Sequence, residues 1–452
     1  MNLYLFQNDL RIHDQPLLKK AMESGSVVGL FVFDEAWFNL NNFGFKKKSD
    51  PWLSFLYDTL LDLNQQLNTL NIPLLVKKGD FAFILKELIR ELNIESIYFE
   101  KLPGEEERKR YDFISTLNIP TYHEEMKPLY KTHMLPFSIE DLPFVFTQFR
   151  HKIERIHVNF KECDTLVQQP KISIESDIPN LDDLNILQIN HYIQPGETAA
   201  LNHLTNYLFN DQLAKTYKET RNGMLNFNDS TKFSAYLSMG ALSVNRIMNE
   251  VKKYEATYVK NDSTYWIYFE LLWRDYFYFT HKKYNNRIFN QEGLSQSHHI
   301  SPNQYFITAW KEGKTGYPLI DANMRQLVQT GYMSNRGRQN VANFLTKFLN
   351  QDWRIGAAFF ESYLIDYDVS SNTLNWLYNA GLGNDPRENR MFNYITQGER
   401  YDKNCQFLDV FLPEIKDVPN PLKYKISEFA EKERIVYGIQ RYPKPVKKVS
   451  RS

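Results

Sequence analysis

The chain is expected to fold as an α/β amino-terminal domain built on a parallel sheet, followed by an all-α domain. Short apolar, β-rich runs alternate with helix-like segments through residues 1–127, the pattern of strands joined by crossover helices. From residue 196 onward the apolar spacing is helical and little reads as strand. Between them, residues 128–195 hold Pro128, Pro136, Pro143, Pro170 and Pro179 without a sustained period, which suits an interdomain linker.

Runs at Asn2 to Phe6, Val27 to Phe33, Ile72 to Lys77, Ser96 to Phe99 and Ile119 to Tyr122 predict five strands. Helices are expected to begin near Pro16, Pro51, Phe81 and Glu105, giving a Rossmann-like βαβ series. Ligands on such sheets bind beyond the carboxyl ends of the strands, but no GxGxxG or phosphate-loop sequence is present. A dinucleotide or nucleoside triphosphate in this domain is therefore disfavoured. Past the linker, Thr264 to Tyr284, Asn323 to Asn350 and Ile355 to Tyr367 carry helical spacing, and the helical domain is placed at 196–420. Residues 421–452 read as a solvated basic tail, with nine Lys and Arg against three acidic side chains.

At 452 residues, 42% hydrophobic and 15% aromatic, the chain can bury more than one sizeable core. Its longest apolar runs fall far short of the roughly eighteen residues of a membrane span, and no basic-then-apolar leader opens it. A cytoplasmic monomer is expected. Cys163 and Cys405 stand far apart in no metal-ligand spacing, so disulfide frameworks, structural zinc and iron–sulfur clusters lack support. Net charge is zero, yet residues 1–196 carry 21 basic against 28 acidic side chains and residues 197–452 carry 33 against 26. That balance permits a nucleic-acid partner without requiring one.

The most informative stretch is Ser334-Asn335-Arg336-Gly337-Arg338-Gln339, followed by Asp366-Tyr367-Asp368, Asn372 and Trp376. On a helix, Asn335, Arg338, Gln339 and Ala342 share one stripe, beside an apolar face of Val341, Phe344, Leu345 and Phe348. The polar stripe is expected to look inward. Arg cannot shed its proton, so burial calls for a carboxylate, and Asp366 or Asp368 is the nearest candidate. Such a pocket could hold a large, hydrogen-bonding, charge-changing ligand, or the pair could simply order two helices.

From Gly196 onward the chain resembles the photolyase and cryptochrome family, most closely its cryptochrome DASH branch. The resemblance runs through Gly196-Glu197-Thr198-Ala199-Ala200, Tyr217, Thr220-Arg221-Asn222-Gly223 and Ser230-Thr231-Lys232-Phe233-Ser234. It continues in Phe269-Glu270-Leu271-Leu272-Trp273-Arg274-Asp275, Gly316-Tyr317-Pro318, Asp321-Ala322-Asn323-Met324-Arg325 and Asn384-Asp385-Pro386-Arg387-Glu388. Leu5-Phe6-Gln7-Asn8-Asp9-Leu10-Arg11 is similar to the opening of the family's antenna domain, with Gln7 where an Arg is usual.

The resemblance implies FAD, with Tyr217, Ser230, Thr231, Lys232, Phe233 and Ser234 at its phosphates. Arg274, Arg338, Asp366, Asp368 and Asn372 are implied nearer its ring system, with Arg338 paired to Asp366 and Asn372 facing the central nitrogen. Glu270, Trp273, Asn335, Gln339 and Tyr378 match the shell that contacts a damaged pyrimidine pair, and Gln397 is a further expected DNA contact. Trp376 and Trp353 match the inner and middle members of an electron relay, while Ile300 stands where the outer tryptophan is expected; Tyr305 is one substitute to consider. Methenyltetrahydrofolate is the implied antenna pigment, with Glu105 or Glu106 on its pterin. An exposed acidic first helical turn explains the same two glutamates.

These matches imply a light-driven, FAD-dependent lyase that reverses cyclobutane pyrimidine dimers. Tyr378 and Gln339 stand where duplex-repairing relatives carry Trp and Met. A stacking platform is worth roughly 1–3 kcal/mol per base, so a reduced one favours lesions in single-stranded or looped DNA, where extrusion costs least. RNA is left open as a second partner. Asn335, in place of a His, disfavours repair of the (6-4) lesion. The alternative is a blue-light photoreceptor or DNA-binding regulator with little repair activity; a dark flavin oxidoreductase lacks a nicotinamide motif.

Overall fold

The computed structural model describes residues 1–295, 300–384 and 391–447. They form two units. The first comprises Met1–Lys218, Thr231–Asn286 and Ile365–Ser371; the second comprises Glu219–Ser230, Arg287–Leu364 and Asn372–Ser452.

The first unit contains the five expected strands, β1 (Asn2–Leu5), β2 (Val27–Asp34), β3 (Leu74–Gly79), β4 (Ser96–Glu100) and β5 (Thr121–Glu124). They pair in the order β3-β2-β1-β4-β5, and every pairing is parallel. Helices α1 (Pro16–Ser24), α2 (Asp50–Thr69), α3 (Phe81–Glu91) and α4 (Glu105–Ser115) connect them. Pro16 and Pro51 occupy first-turn positions, where a missing N–H has no intrahelical partner to lose. Asp80 starts α3 by accepting the Phe83 N–H at 2.8 Å. One face of the sheet buries Leu3, Leu5, Val28, Leu30, Val32, Ile97 and Phe99 with Phe81, Leu85 and Leu88 of α3. Each such side chain stabilises by about 1.5–3 kcal/mol.

Two strands start later than the apolar runs suggest. Asn71 and Asn118 turn the chain with φ of +58° and +52°, and Pro73 and Pro120 have no N–H for the ladder. The segment 128–195 is more ordered than its missing period suggests. It contains helix α5 (Phe146–Ile153), and the Gln169 side chain exchanges hydrogen bonds with the Val27 backbone at 2.8 and 3.0 Å. Two of its N–H groups, from Leu129 and Tyr130, end on the buried carboxylate of Asp275.

Beyond Glu124 the regular structure of the described residues is helical. Thr264 to Tyr284 lies within one helix, Asp262–Tyr284. The expected helix from Asn323 to Asn350 is instead two, Pro318–Thr330 and Asn335–Asn343, the second running on as a π-turn at Phe344–Phe348. Gly331, at φ +66°, ends the first, and the Ser334 hydroxyl caps the second through the Gly337 N–H at 3.0 Å. Likewise the helix expected to reach Tyr367 stops at Tyr363.

Within the second unit the carboxy-terminal basic segment is packed, contrary to the solvated tail expected of it. The Tyr442 hydroxyl donates to Asp321 at 2.5 Å, and the Val446 N–H donates to Thr315 O at 3.0 Å. Arg434 is buried and binds the carbonyls of Ile439 and Tyr442. Local hydrogen-bonding capacity, invisible to charge counting, decides the outcome.

Candidate functional site

In the first unit the long helix Asp262–Tyr284 carries Glu270, Trp273 and Arg274, all half-buried. Its start is fixed by a reciprocal cap between Asn261 and Thr264. Trp266, one turn before Glu270, donates its indole N–H to the Glu270 carboxylate at 3.1 Å. Arg274, one turn after Glu270, points its guanidinium at the carbonyls of Lys127 and Leu237. Phe146 stacks on Trp273 with centroids 3.7 Å apart and planes 11° from parallel. One face of Trp273 is thereby fixed by protein.

Tyr217, Lys232 and Phe233 are buried, Thr231 is half-buried and Ser234 is exposed. The Thr231 carbonyl bonds the His203 ring at 2.8 Å. Burial, the largest effect on His203, lowers its pKa and favours the neutral ring. Lys232 sits in a left-handed conformation at the start of the short helix Phe233–Met239. The Ser234 hydroxyl donates to Asp366 at 2.7 Å. Asp368 is ion-paired with Lys127, both side chains 8% exposed, and accepts the Ser371 N–H at 2.8 Å. Burial alone would raise the Asp368 pKa, but Lys127 and Arg274 overcome it and hold the carboxylate ionised.

In the second unit Asn335 is exposed, whereas Arg338 and Gln339 are half-buried and Ala342 is buried. The stripe therefore does not look inward along its length: Asn335, in the first turn after the Ser334 cap, faces outward. Arg338 donates to Met333 O at 2.8 Å and lies over the Tyr332 ring. Asn372 is half-buried and its amide donates to Ala357 O at 3.0 Å. Trp376 and Trp353 are buried; Trp353 donates to Gln291 O at 3.0 Å. Trp310, fully buried, meets Trp376 edge-on at 6.1 Å. Ile300 is half-buried at the expected outer relay position, and Tyr305 is 63% exposed beside Phe306. Tyr378 and Gln397 are half-buried, and Ser230 lies among Glu219–Ser230. Of the Asn384–Glu388 motif, residues Asp385 to Glu388 lie outside the described residues.

The sheet also has a chemical end. Its strand order reverses direction between β1 and β4, where Gln7 donates across to Glu100 O at 3.1 Å. In the first turn of α4, Glu105 is half-buried and Glu106 exposed, paired with Lys109 and Lys47 respectively.

Sequence reasoning missed Trp266, Phe146 and Lys127. Trp266 was findable, because i and i+4 face one another on a helix. Lys127 and Phe146 were not, being remote in sequence from their partners. Among the described residues no helix is long and apolar enough to cross a membrane, and no group of His, Cys, Asp and Glu could hold a metal ion.

This architecture is that of a photolyase-type flavoprotein: residues 2–171 match the DNA photolyase family, and residues 266–452 match the FAD binding domain of DNA photolyase. The chain is 40% identical to cryptochrome DASH of Synechocystis over 98% of its length and 94% of that relative, and 40% identical to cryptochrome DASH of Danio rerio over 98% and 89%. The crystal structure of a Synechocystis cryptochrome superposes with a TM-score of 0.93 at 39% identity, covering 99% of this chain and 96% of the other. The chain belongs to the cryptochrome DASH branch of the photolyase and cryptochrome family.

Proposed function

We propose that this cryptochrome DASH reverses cyclobutane pyrimidine dimers in light, with a preference for single-stranded or looped DNA. Reduced FAD, when bound, supplies photoexcited transfer of one electron to the cyclobutane ring and takes one back. The donor set fits that group. Lys232, Thr231, Ser234 and Tyr217 of the first unit offer a cation and hydroxyls for a diphosphate, and so does Ser230 of the second. Asp366, Asp368, Arg274, Arg338 and Asn372 are the candidates for its ring edge.

The observation that carries the reading is Glu270, half-buried and held by the Trp266 indole three residues from Trp273. A carboxyl so oriented can bond the carbonyl and imide edges of a flipped pyrimidine pair, and stabilise the negative charge that the pair gains. Trp273 and Tyr378 supply aromatic faces, Asn335 and Gln339 supply amides, and Gln397 is a further DNA contact. Tyr378 and Gln339 in place of Trp and Met support the single-strand preference, since duplex unstacking needs the fuller platform. Trp376 and Trp353 are proposed to relay electrons to the flavin. A methenyltetrahydrofolate antenna remains part of the proposal, with Glu105 or Glu106 as its pterin contact.

Illuminating the reduced protein with a dimer-bearing single-stranded oligonucleotide should restore its thymines, and Glu270→Gln should slow restoration by about 10- to 100-fold, as loss of a transition-state hydrogen bond does, while leaving FAD bound. Light-dependent spectral change and DNA binding without restored thymines would favour the photoreceptor or regulator instead.

A further inference from the structure

Gln339 is half-buried on the helix Asn335–Asn343, and its carboxamide oxygen is already taken. Arg336 Nη1 donates to Gln339 Oε1 at 2.8 Å. The same guanidinium is held from two other directions: Nη2 donates to Asn222 Oδ1 at 2.9 Å, and the group lies 4.6 Å over the Tyr401 ring. All four residues belong to the second unit. A planar fork gripped at three points leaves little freedom to what it binds.

We propose that Arg336 is a positioning residue that locks the Gln339 carboxamide with its NH2 outward, so that this site favours dimers presenting a pyrimidine carbonyl over those presenting a cytosine amino group. The inference rests on the dimer-repair reading above. An unconstrained Gln is ambivalent, since rotation about its terminal bond exchanges oxygen for NH2 and lets it accept from cytosine N4 as readily as donate to thymine O4. With its oxygen engaged by a cation that cannot deprotonate, rotation would set NH2 against guanidinium N–H groups and lose the bond. The outward face is then a donor only. Thymine and uracil offer O4 as acceptor, while cytosine offers N4–H2, a second donor. Sites that bury an unmatched donor discriminate strongly.

The test is equilibrium binding in the dark to single-stranded oligonucleotides carrying a thymine dimer, a cytosine-containing dimer or no lesion, across a range of salt concentrations. The wild type should favour the thymine dimer over the cytosine-containing one by roughly tenfold, the scale of one base-edge contact. Arg336→Met and Arg336→Lys should both lose that preference, because Lys keeps the charge but not the fork. Arg336→Met should add nothing in a Gln339→Met background, and the dependence of affinity on salt should keep its slope. Three results would overturn the proposal: a preference that survives Arg336→Met, penalties that add in the double variant, or a salt slope that falls by about 0.7 in Arg336→Met with rescue by Arg336→Lys. The last would make Arg336 a phosphate contact. A wild type that fails to distinguish either dimer from undamaged DNA would sink the dimer-repair reading and this proposal together.

Discussion

Gly356 shows how much the setting of Trp376 depends on a side chain that is not there. A Cβ built on it would lie 2.1 Å from Trp376 Cη2 and 2.5 Å from Cζ3. Trp376 is 2% exposed and boxed by Phe360 and Trp310 at 5.0 and 6.1 Å, so the ring has nowhere to retreat. Gly356→Ala should destabilise the fold by about 1–3 kcal/mol, the cost of overpacking a filled core. Urea unfolding would show this as a lower midpoint at unchanged slope, and an unmoved midpoint would mean that the helix Trp353–Tyr363 shifts freely. Residue chemistry here was half legible. Trp376 and Trp353 could be picked out by resemblance, and both are buried. Their surroundings could not, because Gly356 and Trp310 meet Trp376 only through tertiary packing, on which local spacing is silent. Arg336 is the sharper case: it lay inside the most informative motif, yet its fork closes on Asn222, more than a hundred positions away.

At the scale of elements, strands were read well where both faces are buried. Val27–Asp34 is a continuous apolar run ending in one half-buried acid, and it occupies an interior position in the sheet. Errors gathered at ends, where Asn71, Asn118 and Gly331 reverse the backbone and outvote periodicity. The helix Asp262–Tyr284 carries a feature that no period reveals, two buried titratable groups of opposite sign one and a half turns apart. Burial, the largest cause, lowers His281 to about 4 and raises Asp275 to about 7, against the two N–H groups that Asp275 accepts. The folded state therefore disfavours charge on both. For His281 the unfolded ring, near 6.5, takes up protons first on acidification, so its contribution is complete above that pH and is lost as pH falls toward 4. For Asp275 the contribution is complete below about 4 and is lost as pH rises toward 7. The two slopes offset one another between pH 4 and 6.5. His281→Gln should remove one of them, on the order of 3 kcal/mol across that interval, so that the variant, measured against wild type, loses less stability on acidification. Parallel pH curves for the two proteins would show that His281 titrates normally.

For the molecule as a whole, the order of architectures was legible, a parallel sheet followed by helices, because short apolar runs alternating with helix-like segments give way along the chain to sustained helical spacing. The carboxy-terminal segment was misread because charge counts its Lys and Arg without asking what they bind. Nine basic side chains among thirty-two suggest a solvated tail, but Arg434 is 2% exposed and Tyr442 1%. Asp321 lies at the centre of what they hold. It accepts the N–H groups of Thr315 and Gly316, the Thr315 hydroxyl and the Tyr442 hydroxyl. Burial raises its pKa, and those donors pull it back. The backbone of Lys444 and Pro445 closes over Gly316, leaving no room for a side chain there. A stop after Gly438 would remove Tyr442, the Val446 N–H and the carbonyls that receive Arg434. It would leave the Arg434 guanidinium without those acceptors and the Asp321 carboxylate without one of its donors. Breaking one buried charge's partners costs about 3–5 kcal/mol, a large fraction of the stability of any domain. The truncated chain should therefore melt well below the full one. Tyr442→Phe, which removes a single hydroxyl and keeps the ring, should cost about 1–3 kcal/mol. If the truncated chain melts with the full one, the segment is the solvated tail that its charge suggested, and the contacts around Asp321 contribute nothing to the fold.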